Sequence, residues 1–246
     1  MNKSILIFAG KHVGFELITF MINQHYSIDK LVVSSNSDLE LIHLAQTNNI
    51  ETIIYDSSTQ NQLVELGIRY DWLLNLWSPY IFKKDFLTLI DKSLNIHPSL
   101  LPQCGGNDNA MWTIRKKLPA GVSLIEIAND VDSGDLYIQK KISYSFPTTG
   151  KELNIILQDS AIDLFKEAWP KIFNSEIIPV SAKGIPSFHT RKQTNQDRIR
   201  NLNDSMTLQD FLLWILAHDF SPNTTAEVEF EGKKYKLAIQ IQEKLT

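Results

Sequence analysis

Short apolar runs alternating with helical patterns between Ile5 and His97 constrain the fold more than any other feature of this chain. The spacing predicts strands at Ile5 to Ala9, Leu31 to Ser35, Thr52 to Tyr55, Trp72 to Leu76 and Leu94 to His97. Between them, Val13 to Asn23 carries Phe15, Ile18 and Ile22, with Leu17 and Met21 beside them, at helical spacing. Leu39 to Gln46 and Gln60 to Leu66 read as further short helices. Strands that alternate with helices build a mainly parallel twisted sheet, and right-handed crossovers put its ligand crevice at the carboxyl ends of the strands. His97 and the segment after Leu76 both fall there. The first strand runs into Gly10-Lys11-His12-Val13-Gly14, which lacks the close-approach glycines that cradle a pyrophosphate, so a dinucleotide site is not expected.

The chemistry is concentrated in Asn95-Ile96-His97-Pro98-Ser99-Leu100-Leu101-Pro102 and, downstream, Val131-Asp132-Ser133-Gly134. On an extended strand the Asn95 amide and the His97 imidazole project from one face while Ile96 points into the core. An uncharged donor stabilises an oxyanion, an imidazole moves a proton near neutral pH, and a carboxylate holds the imidazole's tautomer and charge. Pro98 cannot donate to a ladder, so the strand should stop there with both side chains at its exposed end. The loop that follows contains a second proline and ends in Cys104-Gly105-Gly106.

These blocks, together with Gly121-Val122-Ser123-Leu124-Ile125 and the continuation to Gln139, resemble in order and approximate separation the formyltransferase family that uses 10-formyltetrahydrofolate. The resemblance implies a Rossmann-like formyltransferase core and a formyl donor of the folate class. It implies that Asn95, His97 and Asp132 are the catalytic residues. It places the pterin near Leu76, Trp77, Pro79, Tyr80 and Ile81, held largely by backbone groups, and near Ile127 and Asp130. The tail from Ile185 to Arg191, the following helix and the closing hairpin are similar to the small C-terminal part of sugar N-formyltransferases. That similarity implies a nucleotide-linked amino sugar as acceptor, with dTDP-4-amino-4,6-dideoxyglucose the first choice, and Asn109, Trp112, Phe188 and Arg191 as its contacts. Another amine acceptor, water in a formyltetrahydrofolate hydrolase, and a non-catalytic ligand-binding protein are the alternatives.

Other chemistries fit the same residues less well. Asp130 to Asp135 begins like a calcium loop, but its glycine comes one place early and Lys141 stands where a bidentate Glu is required. The six His are scattered and there is one Cys, so no metal is expected. A Ser99 and His97 hydrolase lacks the nucleophile elbow. Cys104 lies near His97 in sequence, but proximity alone does not lower a thiol pKa. The single cysteine also rules out an intrachain disulfide and fits a reducing cytoplasm. A formal net charge of -4 argues against a nucleic-acid partner. No apolar run approaches the roughly 18 to 20 residues that span a bilayer, so no membrane partner is expected.

The whole chain reads as one catalytic domain over 1–178 followed by a small C-terminal helix and β-hairpin region over 179–246. Asn107 or Asp108 is placed to cap a helix through Ala110 to Arg115, and Gly121 to Ile127 and Leu136 to Ser145 read as strands flanking the Asp132 turn. Lys151 to Trp169 is an amphipathic helix that Pro170 should stop or kink. Ile178 to Asn203 reads as polar and irregular. Thr207 to His218 is a helix capped by Ser205 or Thr207, and Ala226 to Glu231 turns at Gly232 and returns through Tyr235 to Ile239 as a hairpin. The apolar stripe of that C-terminal helix suits core packing or a homodimer interface equally.

Overall fold

The computed structural model describes residues 3–34 and 38–243 of the 246-residue chain. In chain order its elements are β1 (Ile5–Ala9), α1 (Lys11–Asn23), β2 (Lys30–Val33), α2 (Leu39–Thr47), β3 (Glu51–Ile54), α3 (Thr59–Leu66), β4 (Tyr70–Leu76), α4 (Lys84–Leu87), β5 (Ile90–His97) and β6 (Gly105–Gly106). There follow α5 (Asn109–Arg115), β7 (Ala120–Ile125), β8 (Leu136–Ile142), α6 (Gly150–Phe173), β9 (Phe188–His189), α7 (Arg191–Asp197), β10 (Ile199–Asn201), α8 (Leu208–His218), β11 (Glu227–Phe230) and β12 (Lys233–Lys236). The chain divides into two compact units. The first comprises Met1–His97, Ser123–Gln139 and Asp159–Lys183, and the second Pro98–Val122, Lys140–Gln158 and Gly184–Thr246.

The first unit is built on a seven-stranded sheet in the order β3-β2-β1-β4-β5-β7-β8. Its first five strands in this order pair in parallel, and β7 runs antiparallel to β5. The α/β architecture expected from the sequence is therefore present, with the expected strands close to their predicted bounds. Strand β2 ends at Val33, and the expected end at Ser35 lies outside the described residues. Strand β5 begins at Ile90, ahead of the apolar signal at Leu94. Asp91 and Lys92 are exposed, but the ladder pairs Tyr70 with Ile90 and Trp72 with Lys92, so β4 templates a stretch whose side chains do not announce a strand. Every residue of β1 is inaccessible to solvent, as expected of a central strand covered on both faces.

Of the two expectations at Pro170, a stop or a kink, the stop is corrected: helix α6 runs through it to Phe173. Proline inside a helix costs about 3 kcal/mol. Here Phe165, Trp169 and Phe173 form a ladder of rings with centroids 5.5 and 5.3 Å apart, and Trp169 meets Trp72 of β4 edge-on at 5.0 Å. Trp72, Phe165 and Trp169 are buried and each contributes roughly 1.5 to 3 kcal/mol, so the packing outweighs the lost helix bond.

One glycine positions the site directly. The turn after β7 folds back so closely that a Cβ on Gly134 would lie 1.9 Å from the Glu126 carbonyl oxygen, and the Glu126 N–H donates to Asp135 O at 2.8 Å. Only glycine lets the Asp132-Ser133-Gly134 turn lie flat on the end of β7.

The second unit contains α5, α7, α8 and a three-stranded sheet in the order β10-β11-β12. The predicted hairpin is present, with Glu231 and Gly232 at φ 49° and 74°, the left-handed pair that a two-residue hairpin turn requires. Thr207 caps α8 by accepting from the Asp210 N–H at 3.1 Å. The expectation of an irregular stretch up to Asn203 is corrected by α7 and β10. Helix α7 starts with a capping box in which Thr190 and Gln193 satisfy each other's backbone N–H, and β10 pairs in parallel with β11. Asp108 occupies the N-cap place of α5, but in a left-handed conformation, and its carboxylate pairs with Arg191 instead of capping.

Asp197 is the electrostatic centre of this unit. It receives Arg115 Nε at 3.0 Å, His218 Nε2 at 3.1 Å and Arg200, while its carbonyl accepts from Trp214 Nε1 at 2.7 Å. Burial pushes the carboxyl up, but the His218 hydrogen bond and the charges and hydrogen bond of Arg115 and Arg200 override it and bring it down to about 2. A carboxyl depressed in the folded state adds stability above its unfolded pKa and loses it as pH falls through the folded value. Asp197 should thus contribute on the order of 2 kcal/mol at neutral pH, lost between about pH 4 and pH 2. Thermal unfolding of wild type and Asp197→Asn across that range should show the gap between them narrowing as pH falls. Gly134→Ala should lower stability by about 1 to 3 kcal/mol in denaturant titrations, because backbone rather than a flexible side chain must yield.

Candidate active site

The carboxyl end of β5 carries the residues that the sequence singled out. Ile96 is 4% exposed and faces the core, His97 is 5% exposed, and Asn95 is half-buried on the opposite face from Ile96, as the strand alternation requires. The strand is held on both edges, with Asn95 in register with Asn75 of β4 and with Ile125 of β7, and His97 with Ser123. It ends before Pro98.

Asp132 lies in the turn between β7 and β8 at φ 56°, a left-handed conformation that Asp tolerates better than most residues. Its Oδ1 is 3.1 Å from His97 Nδ1, and both side chains are nearly buried. A carboxylate only accepts, so the Nδ1 proton is fixed toward Asp132 and Nε2 becomes the site of proton uptake.

Asn75 joins this group from β4 and was not singled out from the sequence. Its Nδ2 donates to Asn95 Oδ1 at 2.9 Å, and its Oδ1 accepts from the Ser78 N–H at 3.2 Å and the Ser78 hydroxyl at 2.6 Å. The signal was there to read: Trp72-Leu73-Leu74-Asn75-Leu76 is an apolar run with one amide in it. Such a residue, here 7% exposed, needs a partner when buried.

A narrow cleft of about 60 Å³ opens beside these groups. Ile81, Phe82, Ile125 and Ile127 supply apolar wall, and Asn75, Asn95 and Asp132 supply the polar part. Of the residues expected at a pterin, Tyr80, Ile81, Ile127 and Asp130 line it. Leu76 is wholly buried in β4, Trp77 is half-buried at φ 70° in the turn that follows, and Pro79 is exposed. Tyr80 stacks on Tyr55 with centroids 3.5 Å apart and donates its hydroxyl to Ser34 O at 2.7 Å. The Glu126 carboxyl, which also lines the cleft, is pushed up by burial and by the nearby Asp135 charge.

The residues expected at the acceptor lie in the second unit. Phe188 is 48% exposed, and Arg191 pairs with Asp108 at the rim of a separate cavity of about 460 Å³. Trp112 is 5% exposed, its ring stacked on His189 at 4.1 Å and its Nε1 donating to Thr194 Oγ1 at 3.0 Å. Asn109 is 6% exposed and donates from Nδ2 to Cys104 O at 2.5 Å. The glycines after Cys104 have a backbone role. They form β6 against β9, where a Cβ on Gly106 would meet His189 O at 2.1 Å. Cys104 is buried, which pushes its thiol up to about 11 and removes it as a nucleophile at neutral pH. A larger groove of about 980 Å³, edged by Arg115, Lys116, Lys117 and Arg200, holds none of the residues predicted for the chemistry. Among the described residues, no cluster of three or more His, Cys, Asp or Glu is arranged to hold a metal, and no helix is long and apolar enough to cross a membrane.

Residues 79–168 match the model of the Formyl transferase family. In structure the chain is similar over 98% of its length to 98% of a 4-N formyltransferase from Francisella tularensis, with a TM-score of 0.84 and 18% identity. It is similar over 88% of its length to 80% of an N-formyltransferase from Helicobacter canadensis, solved in complex with folinic acid and dTDP-3-aminofucose, with a TM-score of 0.71 and 20% identity. In sequence it is 23% identical to the methionyl-tRNA formyltransferase of Mesoplasma florum, covering 89% of this chain and 76% of that protein. Other methionyl-tRNA formyltransferases are matched over less than half of their length. Residues 79–168 thus match the Formyl transferase family model, and the seven-stranded sheet that carries the site has the fold of those N-formyltransferase structures.

Proposed function

We propose that the protein moves a formyl group from 10-formyltetrahydrofolate to the amine of a nucleotide-linked amino sugar, with dTDP-4-amino-4,6-dideoxyglucose the first acceptor to test. The observation that carries this reading is the His97 Nδ1 to Asp132 Oδ1 contact of 3.1 Å, with Asp132 and Asn95 both lining a cleft of largely apolar wall. A flat heterocycle with a polar edge suits that slot, because Phe82 and Ile127 offer apolar walls and the Asn and Asp side chains offer hydrogen bonds at one end. When bound, the folate supplies an acyl carbon on a nitrogen that can depart.

The chain's own groups then have three tasks. Asn95 Nδ2 donates to the formyl oxygen as negative charge develops on it, where a fixed neutral donor is worth more than it is in the ground state. With a proton on Nε2, His97 adds its own donation to that oxygen, and Asp132, 3.1 Å from Nδ1, orients the imidazole. As the new carbon–nitrogen bond forms and the old one breaks, the amine loses a proton and the departing nitrogen gains one. Asp132 and His97 carry that transfer.

For the acceptor, Phe188 offers an exposed ring to a nucleobase and Arg191 a guanidinium to a diphosphate. Trp112 and Asn109 enter this reading from beneath, by holding His189 and the Cys104 loop in place. The dTDP sugar of the Helicobacter canadensis complex supports this class of acceptor. The curated relatives favour methionyl-tRNA as a second reading, against which the net charge of -4 weighs.

Purified protein should release tetrahydrofolate from 10-formyltetrahydrofolate only when the amino sugar nucleotide is present, with one formyl group added to the sugar by mass. Release without any amine would mean a hydrolase, and release dependent on charged methionyl-tRNA would replace the sugar by the tRNA. His97→Asn and Asp132→Asn should each lower kcat by about 10²- to 10⁴-fold with circular dichroism unchanged. Near-normal turnover by either variant would remove the residue from the mechanism.

A further inference from the structure

We infer that Asn75 is a positioning residue that sets which end of the Asn95 amide faces the cleft, so that a donor and not an acceptor meets the reacting oxygen. The inference rests on the reading of Asn95 given above. A side-chain amide has nearly the same shape in both flips, so shape alone does not decide whether Asn95 presents NH₂ or C=O. Something of fixed polarity must decide it.

That polarity comes from the backbone of Ser78. Its N–H only donates, so the atom of Asn75 that faces it at 3.2 Å must be the oxygen. Its carbonyl only accepts, and it lies 3.4 Å from Asn75 Nδ2. The Ser78 hydroxyl, at 2.6 Å from Asn75 Oδ1, can donate or accept and so follows this choice without making it. With its flip set at both ends, Asn75 directs an N–H at its register neighbour, 2.9 Å away, and only an oxygen can stand there. Asn95 Oδ1 therefore turns toward β4, and Nδ2 takes the other side of the amide. Trp77 at φ 70° makes the turn that brings Ser78 back onto Asn75. The relay is backbone, Asn75, Asn95, substrate oxygen, and each link fixes the next.

The variant that isolates this relay is Asn75→Asp. It keeps the shape and keeps the Ser78 N–H and hydroxyl satisfied, but replaces the donating Nδ2 by an oxygen that accepts. Asn95 must then rotate its NH₂ toward β4 and show its carbonyl oxygen to the cleft. The expected result is a fall in kcat of about 10²-fold or more, with the KM for 10-formyltetrahydrofolate within about threefold of wild type. Added to Asn95→Ala, Asn75→Asp should cost much less than it does alone, since the flip it drives needs the Asn95 amide. In protein isotope-labelled at asparagine side-chain amides, the Asn95 NH₂ protons should exchange with water more slowly in Asn75→Asp than in wild type.

A kcat within about threefold of wild type for Asn75→Asp, beside a large loss in Asn95→Ala, would overturn the inference and leave the proposed function standing. So would a full additional loss on the Asn95→Ala background, or unchanged exchange at the Asn95 amide. Full activity of Asn95→Ala would instead sink the oxyanion role that both readings share, and the exchange measurement would still report the flip.

Discussion

The site depends on the register of β5 between two strands of opposite direction. Its pairing with β4 sets Asn75 beside Asn95, and its pairing with β7 sets Ile125 beside Asn95 and Ser123 beside His97. Strand side chains alternate with a period of two, so a slip of one residue would send Ile96 into the cleft and drive Asn95 and His97 into the core. Burial of Ile96 and Leu94 opposes that slip directly, since each contributes roughly 1.5 to 3 kcal/mol only in the observed register. The apolar residues of β5 thereby aim the polar ones. Pro98 then ends the ladder at the point where His97 must be reached.

The His97 and Asp132 pair adds a different constraint. Both side chains are nearly buried, and a buried ion pair is often no more stabilising than an apolar pair of the same volume. Its place in the structure is better understood as orientation than as stability. The turn that carries Asp132 is held by the close approach of Gly134 to the Glu126 carbonyl and by the Glu126 to Asp135 hydrogen bond, groups that belong to the same unit as His97. A left-handed Asp and a glycine under a carbonyl are local costs at the site, offset by the packed sheet beneath it.

What the sequence made legible follows the range of the interactions involved. The parallel sheet was readable because apolar runs and helical spacing are local signals, and Asn95 and His97 because period two is local as well. Asn75 was legible only as a lone amide in an apolar strand, and its role was not, because that depends on which residue stands across the ladder. The same applies to the early start of β5, to β10, and to the passage of α6 through Pro170, where Trp72 and the neighbouring rings decide against the local rule. Helix α7 is the exception. Its capping box, Thr190 and Gln193, was a local signal, and the polar composition around it masked the helix. The Asp108 carboxylate shows the converse error: a residue suited to capping whose partner, Arg191, lies far along the chain.

The proposed use of a neutral amide, Asn95, as the donor in the cleft makes these long-range partners necessary. A lysine or arginine would bring a donor of unmistakable polarity, but its charge would bind the ground-state carbonyl and the anionic parts of a substrate alike. An amide binds a neutral carbonyl weakly and a developing oxyanion well, which is the difference that lowers a barrier. Its weakness is that either end can face the substrate. Backbone groups cannot flip, so tying an amide to a backbone N–H and C=O is the most economical way to remove that freedom. The Ser78 turn does so one strand away from the donor it orients. The distance has a use: the backbone contacts fall on Asn75, and the one bond that Asn75 passes on engages only the oxygen of the Asn95 amide.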